Sequence, residues 1–285
     1  MAYDKIVDSA KLDNALRASA NAFRAKMGST RVINFDLANE TGFSETITNL
    51  PTGSGDNNID ELISRDITEI TSNALLVASY VFYYSLDLET ANFPLANSIG
   101  MSAFQNCSKL TIADFPSATS TGTYSFKDCS KLEIVNFPLV TSIGNYSFQN
   151  CSKLTIVDFP SATSTGSDAF RGCSKLTIAD FSSATSVGSY SFYSCSSLTA
   201  LILRSETRAN LPYTNAFSGC YHILGTTNNS YNPEGLKDGY IYVPSALIED
   251  YKTATNWSTL ATQFRALEDY TVDGTITGEL DPNKI

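Results

Sequence analysis

LEIVNFPLVTSIGNYSFQNC, residues 132–151, is one complete unit of a pattern that runs through the middle of this 285-residue chain. Its landmarks return at a fixed distance. Cys107, Cys129, Cys151, Cys173, Cys195 and Cys220 are separated by four gaps of 22 residues and a last gap of 25. Phe104, Phe126, Phe148, Phe170, Phe192 and Phe217 each stand three residues before a cysteine, and Leu110, Leu132, Leu154, Leu176 and Leu198 stand three residues after one. Gly100, Gly122, Gly144, Gly166 and Gly188 mark one turn per unit. A period of this length means stacked supersecondary units, each burying its apolar side against its neighbours. Such an array displays surface, so recognition is expected before chemistry.

Within a unit, Leu110, Ala113 and Phe115 recur as Leu132, Val135 and Phe137, and again as Leu198, Leu201 and Leu203. Strand alternation sends Ile112 and Asp114 to the opposite, outer face. Pro116, Pro138 and Pro160 stop the strand. A second extended stretch, such as Val140 to Ile143, leads to the glycine turn, and Tyr146-Ser147-Phe148 turns back toward the cysteine. The spacing L-x-x-φ-x-φ is that of a leucine-rich-repeat strand.

These residues resemble the BspA-like leucine-rich repeats, whose units read roughly L-T-x-φ-x-φ-P and then φ-T-S-I-G-x-x-A-F-x-x-C. Five or more units carry the motif in register, over about half of the chain. The resemblance implies a right-handed, mainly β repeat solenoid with parallel strands and a role in binding. It implies no particular ligand.

Composition shifts divide the rest. Residues 1–50 are not repetitive and read as an N-terminal module: a helix from Ser9 to Gly28, a short strand at Val32, Ile33 and Phe35, and a second helical segment from Gly42 to Leu50. So short a module buries little area alone. It needs a partner, a neighbouring subunit or the solenoid itself, and it offers a route to oligomerisation. Residues 51–58, PTGSGDNN, read as a linker. The solenoid is expected over 59–223, with a bulged loop from Arg204 to Asn215 in the longer last step. Residues 224–270 read as a capping module: a strand at 238–244, a short helix from Ala246 to Lys252, and Trp257, Leu260, Phe264 and Leu267 at helical spacing. An open solenoid end exposes core and strand edge, so a cap is required. Residues 271–285 are polar and acidic and read as a flexible tail.

Charge and composition exclude several classes. With 19 basic against 29 acidic residues the net charge is −10, so nucleic acid is not an expected partner. No apolar leader follows Met1, and no run of 18 apolar residues appears, so neither a secretory signal nor membrane insertion is expected. The even cysteine count raises a disulfide framework. One repeat position, however, places all of them on one wall about 5 Å apart with parallel Cβ vectors, a poor geometry for bridging. There is no C-x-x-C and only one histidine, His222, so no metal or other cofactor is expected. The cysteines read as buried, reduced thiols packing as small hydrophobes. Catalysis finds no support: His222 sits beside Cys220 and Tyr221 at the repeat–cap junction without a nucleophile elbow, P-loop or H-E-x-x-H.

Two surfaces stand out as candidates for a partner. The first is the outer strand face, with the row Ile112, Ile134, Ile156 and Ile178 beside the row Asp114, Asn136, Asp158 and Asp180. An exposed apolar stripe marks an interface, unless a neighbouring segment such as residues 1–50 covers it. The acidic row admits a cation or sugar-hydroxyl site, or simply a solvated face offset by Lys109, Lys131, Lys153 and Lys175. The second is an edge where Tyr80, Tyr124, Tyr146 and Tyr190 recur at one turn position. Such aromatic rows stack sugars or anchor protein partners, or else pack as ordinary turn residues.

Val7-Asp8-Ser9, Leu12, Ala22-Phe23-Arg24-Ala25-Lys26, Gly28, Phe35 and Gly42-Phe43 carry a second resemblance. They are similar to an N-terminal module of prophage tail-associated proteins of Gram-positive gut bacteria, where the run is close to V-D-S-x-x-L, A-I-R-x-K-G-G and F-P-x-G-F. Phe23, Met27 and the missing proline before Gly42 depart from it. The resemblance implies an attachment segment bearing a distal binding domain. The expectation is a non-enzymatic protein, made in the cytoplasm and virion-associated, that recognises a protein or cell-envelope surface component. The alternative is a cell-surface or secreted adhesin.

Overall fold

The computed structural model describes residues 68–226, 233–235 and 237–269, together with the backbone of the short strands Ile33–Phe35, Thr271–Val272 and Thr275–Ile276. The expected N-terminal helices and the 51–58 linker lie outside the described residues.

One long wall of the solenoid is built from in-register parallel strands, one per unit. β1 (Ile33–Phe35), β2 (Glu69–Ser72), β4 (Thr90–Asn92), β6 (Ile112–Asp114) and β8 (Ile134–Asn136) form one sheet. β9 (Ile156–Asp158), β10 (Ile178–Asp180), β11 (Ala200–Ile202), β12 (Tyr240–Val243) and β13 (Phe264–Ala266) form the next. A second wall begins as β3 (Leu76–Val77), β5 (Ser98–Ile99) and β7 (Ser120–Thr121). It continues as single parallel bridges from Ser120 through Ser142, Ser164 and Ser186 to Asn210. On the turn side, backbone N–H groups donate along the axis: Phe126 to Ser147 O at 2.7 Å, Phe148 to Ala169 O at 2.8 Å. These three walls satisfy the backbone without long strands.

The interior follows the landmarks of the sequence. Every repeated Leu, Phe and Cys from Phe104 to Cys220 is fully buried. The phenylalanines form two columns, Phe82 to Phe217 and Phe93 to Phe181, with rings stacked along each column. Contacts between columns are edge-on or tilted, as at Phe104–Phe115 with 5.7 Å between centroids. The six cysteines are free and buried, and each Sγ–H donates to a phenylalanine carbonyl of the preceding rung, as Cys151 does to Phe126 O at 3.2 Å. Burial pushes the Cys173 thiol up to about 12, so the ladder is inert toward ionisation. Glycine is required at its turn by close approach: a Cβ on Gly166 would lie 2.6 Å from the backbone of Gly144.

The short strand expected around Ile33 is β1, hydrogen-bonded to β2 in register with Ile33 opposite Ile70, so the solenoid is what this strand pairs with. Two expectations change. Trp257, Leu260, Phe264 and Leu267 do not share one helix. Trp257–Gln263 is 3-10 with a break at Leu260, and Phe264 opens β13. The unpaired edge of β12 outcompetes helix continuation by offering Phe264–Ala266 a ladder. Trp257, Leu260 and Phe264 are nevertheless all buried, because the 3-10 segment and the strand close over the same end. Finally, Asp180, expected on an exposed face, is 2 % exposed.

The cap is held by specific bonds. The Trp257 indole donates to Ala209 O at 2.7 Å, and the Tyr251 hydroxyl accepts from Ala209 N at 2.8 Å. Asn256 Nδ2 donates to the carbonyls of Leu211 and Pro212 at 2.8 and 3.0 Å. The helix α1 (Tyr221–Leu224) follows the last cysteine, and α2 (Ile248–Thr253) carries Tyr251.

Candidate functional site

The two candidate rows lie on different walls, the isoleucines and their polar neighbours on the strand wall and the tyrosines at the turns. On the strand wall Ile112, Ile156 and Ile178 are partly exposed, and Ile134 is 41 % exposed. The row is not uniform along the axis. At its C-terminal end Ile178 packs with Ala200, Ile202, Tyr242 and Leu267 in a small apolar cluster separate from the main core. At its centre the ladder stops: β8 and β9 belong to different sheets and share no strand hydrogen bonds. Thr177 and Thr199 each donate through Oγ1 to the carbonyl one rung back, at 3.0 and 3.2 Å. Between Thr155 and the Glu133 carbonyl this clip is not made, whereas Thr111 does make it to the Glu89 carbonyl at 2.9 Å. The strand ladder is interrupted there, at a seam flanked by Ile134, Asn136, Ile156 and Asp158.

The polar row beside the isoleucines divides at the same seam. Asn136 Nδ2 donates to Asp114 Oδ1 at 2.7 Å, tying the N-terminal side. On the other side two guanidinium N–H groups of Arg204 converge on Asp180 Oδ2, at 3.1 and 2.8 Å, and the Ser182 hydroxyl donates to Oδ1 at 3.2 Å. Burial raises the Asp180 carboxyl despite that arginine. Burial, and then the charge of Asp180, push Asp158 up to about 6. Asp158 is thus a half-buried carboxylate at the lip of the seam with a neighbour of like charge. Lys131, Lys153 and Lys175 are exposed along the far border, while Lys109 is tied to Asp87 at 2.6 Å. Among the described residues no group of His, Cys, Asp and Glu could hold a metal ion.

The turn edge carries the second candidate row. Tyr124 and Tyr146 stack with centroids 5.0 Å apart, and Tyr190 is 39 % exposed. Two rungs between Tyr80 and Tyr190 lack the tyrosine: Ser102 stands in one and Asp168 in the other, and the Asp168 charge raises the Tyr146 hydroxyl. Arg171 pairs with Asp168 at 3.1 Å and lies over the Tyr193 ring at 4.9 Å. His222 Nδ1 meets Asp238 Oδ1 at 2.7 Å, a junction contact between repeat and cap.

Arg204 and the Asp168–Arg171 pair escaped the sequence reading. Their signal was a broken pattern. Arg204 takes the place held by Pro94, Pro116, Pro138 and Pro160 after earlier strands and by Ser182 after β10, and Asp168-Ala169 puts a charge where the units on either side have Tyr-Ser.

No curated protein matches this chain. Among solved structures it is similar to a leucine-rich repeat protein of T. pallidum, with 21 % identity over 74 % of this chain and 82 % of the other and a TM-score of 0.47. It is also similar to a leucine rich cell surface protein of Faecalibacterium prausnitzii, with 18 % identity, 70 % and 68 % coverage and a TM-score of 0.41. A leucine-rich repeat protein of Bacteroides ovatus matches at 25 % identity and a TM-score of 0.38 over 51 % of this chain, which spans 39 % of that protein's length. The tail-like resemblance of the first 43 residues gains no support from these matches. Six copies of the BspA type leucine rich repeat match residues 75–199 and 119–231. Those matches cover more than half of the chain and coincide with the stacked Leu, Phe and Cys ladders, so the chain belongs to the BspA-type leucine-rich repeat family.

Proposed function

We propose that this chain is a non-enzymatic recognition protein whose strand wall binds a protein or cell-envelope component at the central seam. One observation carries it. The strand ladder is interrupted between β8 and β9 beside the most exposed isoleucine of the row, Ile134. Apolar side chains with a polar rim are the profile of a binding patch. Family membership supports the same broad role, since such repeats serve generally as binding scaffolds.

The test is Ile134→Asp combined with Ile156→Asp. Both side chains point away from the core, so the melting curve should not move. Recovery of the partner from cell-envelope or virion fractions should be abolished. Equal recovery by the double variant would sink the assignment of this face.

A finer reading follows from the motif in the first 43 residues: a tail-associated component carrying the solenoid as its distal binding domain. Tail and lysis genes beside the coding sequence would support it. Secretion or sortase genes there would favour the adhesin instead.

A further inference from the structure

Six of the eleven exposed large hydrophobic side chains among the described residues lie between Leu75 and Met101. Four of them stand on or beside the first described turn: Tyr80, Tyr84, Leu86 and Met101 are 40, 46, 42 and 44 % exposed. They form one patch. The Tyr80 hydroxyl donates to Met101 Sδ at 3.2 Å, and Tyr83 packs edge-on against both Tyr80 and Tyr84, with centroids 5.9 and 4.6 Å apart. Leu86 follows at the corner that leads into β4.

Later rungs are polar at these places. Ser108, Ser130, Ser152 and Ser174 stand where the first turn has Leu86. Asn106, Asp128, Asn150 and Gly172 stand where it has Tyr84, and Thr123, Asn145 and Ser167 follow at the place of Met101. Solvent is the same at every rung. An apolar patch confined to the start of the array therefore marks a contact that the later rungs do not make.

The chain supplies an occupant at that end. β1 runs parallel to β2 and β4, so it is entered from the corner where Leu86 to Glu89 enter β4. The four residues between Gly28 and Ile33 keep those two within about 18 Å of each other. Residues 9–28 lie outside the described residues, and their spacing predicts a helix with Leu12, Leu16, Phe23 and Met27 on one face. Charge favours this segment over the chain between β1 and β2. Residues 1–32 carry six basic residues against three acidic, whereas residues 36–67 carry one against seven. Residues 68–101 carry Glu69, Asp87 and Glu89 and no basic residue, so only the first segment brings the opposite sign. A tether this short also holds the segment at an effective concentration in the mM range, above that of any free copy of the chain.

We infer that residues 9–28 dock by their apolar face on the turn wall of the first rung, against Tyr80, Tyr84, Leu86 and Met101. The docked segment leaves the isoleucine row of the strand wall uncovered, and the surface does not depend on the binding proposed there.

The test compares two exposed leucines in the full chain. Leu86 and Leu139 are 42 and 50 % exposed, and neighbouring rungs place serine at both positions, as Ser108 and Ser117. Leu86→Ser should lower the melting temperature by several degrees, and Leu139→Ser should leave it within about a degree. Leu16→Asp should lower it about as much as Leu86→Ser, and the two together should lose little more than either alone, as expected of residues in contact. Cross-linking reads the contact itself. Leu12→Cys, Leu16→Cys or Phe23→Cys, each combined with Leu86→Cys, should on mild oxidation give at least one disulfide within the chain, seen as a shifted monomer band in a non-reducing gel. The six native thiols are buried and take no part. With Ile134→Cys in place of Leu86→Cys no pair should close. The melting comparison needs no new cysteine and decides the matter if a cysteine variant fails to fold. The inference is overturned if Leu86→Ser melts as Leu139→Ser does, if the losses from Leu86→Ser and Leu16→Asp add in full, or if no pair closes with Leu86→Cys. It is equally overturned if pairs close with Ile134→Cys, or if the product is a dimer, which would make a second copy the occupant.

Discussion

At Phe126, Phe148 and Phe170 three successive rungs carry the same residue at the same depth, with rings 5.3 and 5.4 Å apart and within 3° of parallel. On the outside of the strand wall the corresponding rungs read Asp114, Asn136 and Asp158, or Thr111, Glu133 and Thr155. Inside, each side chain has neighbours above, below and across, so one shape fits. Outside, a rung need only avoid clashing with its neighbours, and it is free to differ. Repetition therefore reports packing, and departures from it are where surface properties are found: the Glu133 rung beside the seam, Arg204 over Asp180, Asp168 in the tyrosine row.

The largest expected effect tests the depth contrast directly. Phe148→Ala removes a fully buried ring from the middle of a stacked column and should cost about 3–5 kcal/mol. Tyr146→Ala, two residues away and partly exposed, should cost less than about 1 kcal/mol. Equal losses in urea or thermal unfolding would erase the distinction between the two walls.

That contrast also explains how much could be read in advance. The solenoid, its period and its inward rows are written in Leu, Phe and Cys, because volume and alternation leave few choices. The free cysteines followed from rung geometry. The placement of the isoleucine and tyrosine rows followed from alternation and from turn position. What could not be read depends on contacts between segments far apart in sequence. Asp180 looked exposed because its neighbours in the row are. Arg204, two residues past the Ile202 that pairs with Asp180 at the ordinary 22-residue register, is what covers it. The spacing of Trp257, Leu260 and Phe264 suits a helix, and only the waiting edge of β12 turns the last of them into strand.

Arg204→Ala should have the next largest effect. It leaves Asp180 buried without its cation, and breaking such a pair costs about 3 kcal/mol at neutral pH. The loss should shrink as pH falls, because the raised carboxyl takes up a proton more readily than an ordinary aspartate, and Asp180→Asn in the same chain should recover most of it. A loss below about 1 kcal/mol at pH 7 would mean that the pair is solvated and the outer row is uniform after all.

Asp158 gives a pH-dependent difference of intermediate size. Its carboxyl moves from an ordinary 3.8 to about 6 in the folded chain. Between those values the folded state binds more protons than the unfolded state, so stability falls as pH rises through this window. Asp158→Asn removes that dependence. The variant should melt close to the wild type at pH 4 and above it at pH 7. The same difference at both pH values would show that Asp158 titrates as an exposed carboxylate.

The smallest effect has the opposite sign and lies inside. Ser125, Ser147 and Ser191 occupy one inward position, fully buried, and their hydroxyls have no hydrogen-bond partner. Ala103, Ala169 and Ala216 fill the same position in other rungs, also fully buried. The pocket therefore accepts a methyl, and the hydroxyl adds only the penalty of an unpaired buried polar group. Ser147→Ala should stabilise the chain by about 1 kcal/mol, a rise of roughly 2–4 °C in melting temperature for an array of this size. Ala169→Ser should lower it by a similar amount. If Ser147→Ala destabilises instead, its hydroxyl is bonded in solution. The inward rows would then hold a polar ladder, like the outward ones, rather than a tolerated substitution.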